Sequence, residues 1–145
     1  MTAFRFSLQK VLDWRRTELE LAEARFKQQG AELAELDHQH AELEAAGIRT
    51  EIQVRQWRPV SGGDLAALGG FRLQIKRRER GLASRRAVCR EELAKLENAM
   101  LEARRRLRLL ERLKERRQVE WRAACDRELE EQAAVTYLAQ WSQRQ

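Results

Sequence analysis

Apolar residues recur along this chain at alternating steps of four and three, and that spacing limits what it can fold into. Between Leu8 and Trp57 the stripe runs Leu8, Leu12, Arg15, Leu19, Ala22, Phe26, Gln29, Leu33, Leu36, His40, Leu43, Gly47, Thr50, Val54, Trp57. Two positions in seven on one face, with Glu, Arg and Gln on the others, make a coiled-coil seam, narrower than the face of a globular helix. The spacing resumes through Leu68, Phe71, Ile75, Leu82, Cys89, Leu93, Leu96, Met100, Ala103, Leu107 and Leu110. It continues with Lys114, Arg117, Trp121 and Ala124, then Val135 and Leu138. At ~1.5 Å per residue the first stretch predicts a helix of roughly 75–80 Å and the second one of roughly 105 Å. Such helices must cover their stripes against a partner helix.

The stretch Trp57-Arg58-Pro59-Val60-Ser61-Gly62-Gly63 separates the two stripes and holds the only proline. Proline fixes its own φ and pushes the preceding residue out of the helical region, and a glycine pair frees the backbone to reverse. A second pair, Gly69-Gly70, extends the predicted tip, with a short turn at Asp64–Leu68 inside it. The expected organisation is one coiled-coil domain, 1–145, with a first helix over 4–57, a tip over 58–70 and a second helix over 71–141. Ser7 is the expected N-cap. The fold class is all-α, a long antiparallel two-helix coiled coil (helical hairpin) with an overhanging C-terminal helix. Facing position numbers then sum to about 122, which sets Leu8 near Lys114. Residues after about Arg117 overhang, and Trp121, Leu129, Val135, Tyr137, Leu138 and Trp141 have no partner in the chain.

A charged fraction of 36% with one proline argues against a globular core, and 43% regularly spaced hydrophobic residues argue against a disordered tail. Residues 1–12 lack the apolar run of a signal peptide, and no window approaches the ~18 apolar residues that a bilayer span needs. The expected location is the cytoplasm, or peripheral on the cytoplasmic face of the cell membrane. The net charge of +6 suits an acidic partner, nucleic acid or an anionic surface. Residues 1–58 hold 9 basic and 10 acidic side chains, and 59–145 hold 20 and 13. Two clusters dominate, Arg72 to Arg90 and Arg104 to Arg117, and each reads as a collar around the helix. They are either solvated faces or recognise an acidic protein surface. Without interleaved aromatics they point little to nucleic acid.

Polar or small seam residues, Arg15, Gln29, His40, Gly47 and Thr50, fix register or loosen the pairing. Gly47 is either a docking notch near the tip or tolerated slack. His38 and His40 lie two apart and point to different faces, so no metal site is expected. Cys89 falls on the seam as a small apolar filler. Cys125 lies about 54 Å further along a continuous helix, beyond disulfide reach. There is no phosphate-binding glycine loop and no nucleophile paired with a base, and the carboxylates lie on exposed faces. The expectation is therefore a protein that is not an enzyme, with no cofactor and no small-molecule substrate.

The N-terminal run Phe4-Arg-Phe-Ser-Leu-Gln-Lys-Val-Leu-Asp-Trp-Arg-Arg16 resembles the opening of the FliJ family of flagellar export proteins, Phe-x-Phe-x-Leu-x-x-Val-Leu-x-x-Arg. Leu109-Leu-Glu-Arg-Leu-Lys-Glu-Arg-Arg-Gln-Val-Glu-Trp121, with Asp126-Arg-Glu-Leu-Glu-Glu131 and the aromatic tail, is similar to that family's C-terminal segment. The resemblance implies a component of the flagellar type III export apparatus, similar to a rotary-ATPase stalk. Its termini would bind and stimulate the export ATPase ring, and its tip side would contact the membrane export gate. The ATPase regulator and substrate chaperones are further implied partners. Carried onto matching positions, the implied ATPase-side residues are Phe6, Leu8, Leu12, Arg15, Arg16, Lys114, Arg117, Trp121 and Arg127. The implied gate-side residues are Leu43, Phe71, Ile75 and Leu82. Two other readings fit the sequence: an injectisome stalk protein, or a basic coiled-coil scaffold or nucleic-acid-binding protein.

Overall fold

The computed structural model describes residues 2–57 and 60–144; the proline hinge predicted at Arg58-Pro59 lies outside the described residues. Two helices account for nearly all of the chain, α1 (Gln9–Gln56) and α2 (Gly62–Ser142). They pack against each other as an all-α helical hairpin, and the described residues include no strand. The chain divides into two packed units, Met1–Glu20 with Leu101–Gln145 (the terminal unit) and Leu21–Met100 (the tip unit).

In the tip unit the helices run antiparallel. Gln29 meets Cys89, Asp37 meets Arg86 and Glu51 meets Arg72. In the terminal unit Glu18 meets Arg106, Arg16 meets Glu111 and Phe4 meets Trp121. Each of these pairs sums to within about five of the 122 expected from the spacing. The buried side chains are Leu12, Leu36, Val54, Cys89, Ala103 and Leu107, and all six lie on the predicted stripes. Full burial of Leu12 alone contributes about 2 kcal/mol. No polar or charged side chain is fully buried among the described residues, as expected of a two-stranded seam whose flanks stay wet.

Several boundaries differ from the sequence expectation. The first helix begins at Gln9, not residue 4. The Gln9 amide donates to the Phe6 carbonyl in a turn, and the Leu8 carbonyl takes the first helical hydrogen bond from Leu12, so the helix starts after Ser7 instead of being capped by it. Phe4 and Phe6 precede the helix as half-buried side chains. The second helix begins at Gly62, which makes both glycine pairs and the predicted Asp64–Leu68 turn helical and shortens the tip from 58–70 to the residues before Gly62.

Ser61 and Asp64 explain that early start. The Asp64 amide donates to Ser61 Oγ at 3.1 Å, and the Ser61 amide donates to Asp64 Oδ2 at 3.1 Å. This reciprocal capping box satisfies donors that a helix N-terminus otherwise leaves orphaned. An acidic residue in the first turn also suits the helix dipole. Together these offset the cost of two glycines in the opening turn.

The predicted seam positions are covered except at the ends of the stripes, where Val135 and Leu138 are exposed among others, and Glu79 and Arg86 fill seam-side positions that the apolar pattern skips. Leu8 and Trp57, at the ends of the first stripe, are exposed. On α2 the partly covered positions are Gln118 and Cys125, in place of the expected Arg117 and Ala124. A step of four from Lys114 to Gln118 and from Trp121 to Cys125 keeps a straight helix on one face where a step of three drifts off it.

Candidate functional site

The terminal unit gathers several of the implied ATPase-side residues. The segment before α1 crosses α2 at Trp121, where the Phe4 and Trp121 rings lie 5.9 Å apart with their planes tilted by 53°. That contact corrects the expectation that Trp121 is unpartnered. Around it lies an open concavity of about 1060 Å³, lined by Phe4, Arg5, Phe6, Arg117, Glu120 and Trp121 among others. Phe6, Arg117 and Trp121, far apart in sequence, are thus brought together.

The other implied ATPase-side residues divide between core and surface. Leu12 is fully buried and supports the site without presenting surface. Leu8 is exposed, and Lys114 is half-buried on the seam. Arg15 pairs with Glu18 at 2.7 Å, and its guanidinium lies 4.6 Å from the centre of the Trp14 ring. Arg16 lies 3.9 Å from Glu111 across the pair of helices. Arg117 pairs with Glu120 at 3.4 Å, and Arg127 Nε donates to the Ala123 carbonyl at 3.2 Å.

Beyond Cys125 every described residue of α2 is exposed. The unpartnered stretch therefore starts later than the expected Arg117, because the segment ahead of α1 covers the intervening turns. Its last turns, Ala133-Ala-Val-Thr-Tyr-Leu-Ala-Gln-Trp141, carry no charge at all. Val135, Tyr137, Leu138 and Trp141 are each 58–67% exposed. At 100° per residue these four point in several directions around the helix. An uncharged helix that is apolar on more than one side is normally buried by a partner.

The tip unit holds the implied gate-side residues in two shallow grooves. One, of about 580 Å³, surrounds Gly47 and is lined by Phe71 and Ile75 with Ile48, Glu51, Arg72 and Lys76. The missing side chain at Gly47 opens it, since a Cβ there would sit 3.9 Å from Ile75 Cγ2. The second, of about 330 Å³, contains Leu43 and Leu82 beside Gly81. All four gate-side residues are half-buried seam residues that show only an edge to solvent.

Ion pairs account for part of the basic excess. Arg72 reaches Glu51 at 3.0 Å. Arg86 Nε lies 2.7 Å from Asp37 Oδ1, without the alignment of a hydrogen bond. In the terminal unit Arg106 contacts Glu18 and Glu102. Within the second cluster Arg105, Arg108, Arg112 and Arg116 share the face of α2 opposite its buried positions, and all are exposed, while Arg104, Arg106, Lys114 and Arg117 lie on other sides of the helix. The steps of three, four and four from Arg105 to Arg116 were present in the sequence and mark one helix face.

Among the described residues no group of three or more His, Cys, Asp or Glu could hold a metal ion, and His38 and His40 instead lie near Glu42 and Glu44 on their own helix. No helix among them is long and apolar enough to cross a membrane. No family model, curated protein or solved structure matches the chain.

Proposed function

We propose that this chain is a non-catalytic stalk of the flagellar type III export apparatus. In this reading it works from the cytoplasmic face of the membrane, binds and stimulates the export ATPase ring through its terminal unit, and contacts the export gate through the grooves of its tip unit. The ATPase regulator and substrate chaperones would be further partners. The observation that carries the reading is the uncharged, aromatic-bearing end of α2, which projects past Cys125 with its side chains exposed. A helix end of that kind suits insertion into a socket that surrounds it, as a ring does. The Phe-x-Phe-x-Leu opening beside Trp121 supports the same assignment through its resemblance to the FliJ family. The test is the ATPase rate of the cognate export ATPase titrated with the intact chain. Stimulation is expected; an unchanged rate with a folded, helical chain would discard the stalk reading.

A further inference from the structure

We propose that the outer face of α2 in the terminal unit is a self-complementary interface for a second copy of this chain, paired antiparallel about an axis near residue 121. This goes beyond the stalk reading and does not depend on it. The face is the one opposite the buried Ala103 and Leu107 and the half-buried Trp121, and it is exposed along its whole length.

Read along the helix, this face changes character in an ordered way. First come Arg105, Arg108, Arg112 and Arg116, then Val119 and Ala123, which are small and uncharged. Asp126 and Glu130 follow, and Tyr137 and Trp141 close it. With the exposed Ala134 between Glu130 and Tyr137, the steps between successive positions are threes and fours averaging close to 3.6, so these residues stay on one side of a straight helix. Like charges at i,i+4, as in Arg108, Arg112 and Arg116, oppose helix formation. Arg108, Arg112 and Arg116 have no acidic partner among the described residues, and Arg105 reaches only Glu102, at 4.0 Å.

Reversing a second copy about residue 121 sets opposites against each other. Arg112 faces Glu130 of the second copy, and Arg116 faces Asp126 of the second copy. Val119 meets Ala123 at the centre. At each end Arg105 lies against a Tyr137 ring and Leu101 against Trp141, the first a cation–π arrangement. Two-fold symmetry doubles every pair, which is the pattern of an isologous interface. From Leu101 to Trp141 the strip is ~60 Å long, and one helix width of ~10 Å gives about 600 Å² per copy. The total of about 1,200 Å² lies at the low end of specific interfaces. The dimer is therefore reversible and salt-sensitive, because its ion pairs are at the surface. It also covers Tyr137 and Trp141, so self-pairing competes with any other partner of that end.

The experiment is sedimentation equilibrium of the full chain under reducing conditions, up to about 100 μM and at ~50 and ~500 mM salt. A monomer–dimer equilibrium weakened about tenfold at the higher salt is expected. The R112E/R116E chain and the D126R/E130R chain should each be monomeric and, mixed, should form a heterodimer. Circular dichroism confirms that each variant remains helical, and one chain carrying all four changes should dimerise again. A monomeric wild type at low salt, a dimer indifferent to the charge reversals, or a mixture that stays monomeric would overturn the proposal.

Discussion

The Gln29 side-chain amide reaches across the seam to Cys89, 3.2 Å from its sulfur and 3.4 Å from its carbonyl oxygen, and donates to both. The Cys89 thiol in turn donates to the Gln29 carbonyl at 3.8 Å. A polar residue in an apolar seam costs stability relative to a hydrophobic one and fits one register, as a polar residue at a coiled-coil core position does. Sliding the helices by a turn would leave the amide against Leu93 or Arg86 instead. Replacing Gln29 with Leu is expected to stabilise the hairpin against urea by roughly 1 kcal/mol. A lower midpoint in urea would show that the pair contributes more than it costs.

Gly47 separates two explanations of the groove near the tip. A methyl group added there makes ordinary contact with Ile75 Cγ2 at 3.9 Å, so Gly47→Ala should fit without strain. It should also gain about 1 kcal/mol of helix propensity, read as a higher urea midpoint. If the groove is where a partner docks, the same methyl narrows it, and binding to the export-gate protein falls while stability rises. Unchanged binding in the stabilised variant would mark the glycine as slack.

The capping box at the start of α2 makes a pH-dependent contribution. The Ser61 hydroxyl, then the Ser61 amide, hold the Asp64 carboxyl below its usual 3.8 by hydrogen bonding to its charged form. A lowered folded-state pKa means the stabilisation is complete above the unfolded value of 3.8 and is lost as pH falls through the folded one. Wild type should therefore exceed Asp64→Ala in urea midpoint near pH ~7, and the gap should narrow progressively as pH falls below 3.8. Ser61→Ala, which removes the cap itself, is expected to cost about 1 kcal/mol at neutral pH. A gap between wild type and Asp64→Ala that did not narrow in acid would argue against the reciprocal bond.

Phe4 lies outside any helix yet has the Trp121 ring to pack on. The pair is tilted at 5.9 Å, a geometry that adds about 1 kcal/mol to simple burial. Phe4→Ala should lower the thermal midpoint and shift Trp121 emission to the red, with Trp121→Phe identifying that tryptophan among the four. Emission unchanged by Phe4→Ala would mean that the N-terminal segment does not cover α2.

The pairing of the helices was legible in the sequence because seam burial follows apolar periodicity, and Leu36, Val54, Ala103 and Leu107 all fell on it. Glu79, Arg86 and Gln118 also take seam-side positions, but polar residues leave no trace in an apolar pattern. The glycine pairs carry the backbone freedom of a loop, a signal that the cap ahead of them outweighs. The Ser61-x-x-Asp64 signature, which starts the helix at Gly62 and so includes the first pair, is present in the sequence and is the stronger signal. The site was legible only in part. The terminal motifs pointed to Phe6, Arg117 and Trp121, whereas Phe4 acts through a contact made by irregular backbone, for which no periodicity exists.

Ending the chain after Cys125 tests whether the exposed end of α2 serves function and not folding. Every described residue beyond that point is exposed, so its removal gives up no packed contact. The urea midpoint should then stay within about 0.5 kcal/mol of wild type, the range of surface changes. If the end inserts into the ATPase ring, stimulation should vanish with it. Tyr137→Ala with Trp141→Ala in the intact chain should reproduce much of that loss, because large aromatics carry most of the energy of such contacts. The cut also removes the acidic half of the proposed dimer face, so the R112E/R116E chain is the control. It keeps Tyr137 and Trp141 but cannot self-pair. Stimulation retained by that chain and lost by the truncated one assigns the effect to the apolar end; loss in both would assign it to the arginine face instead.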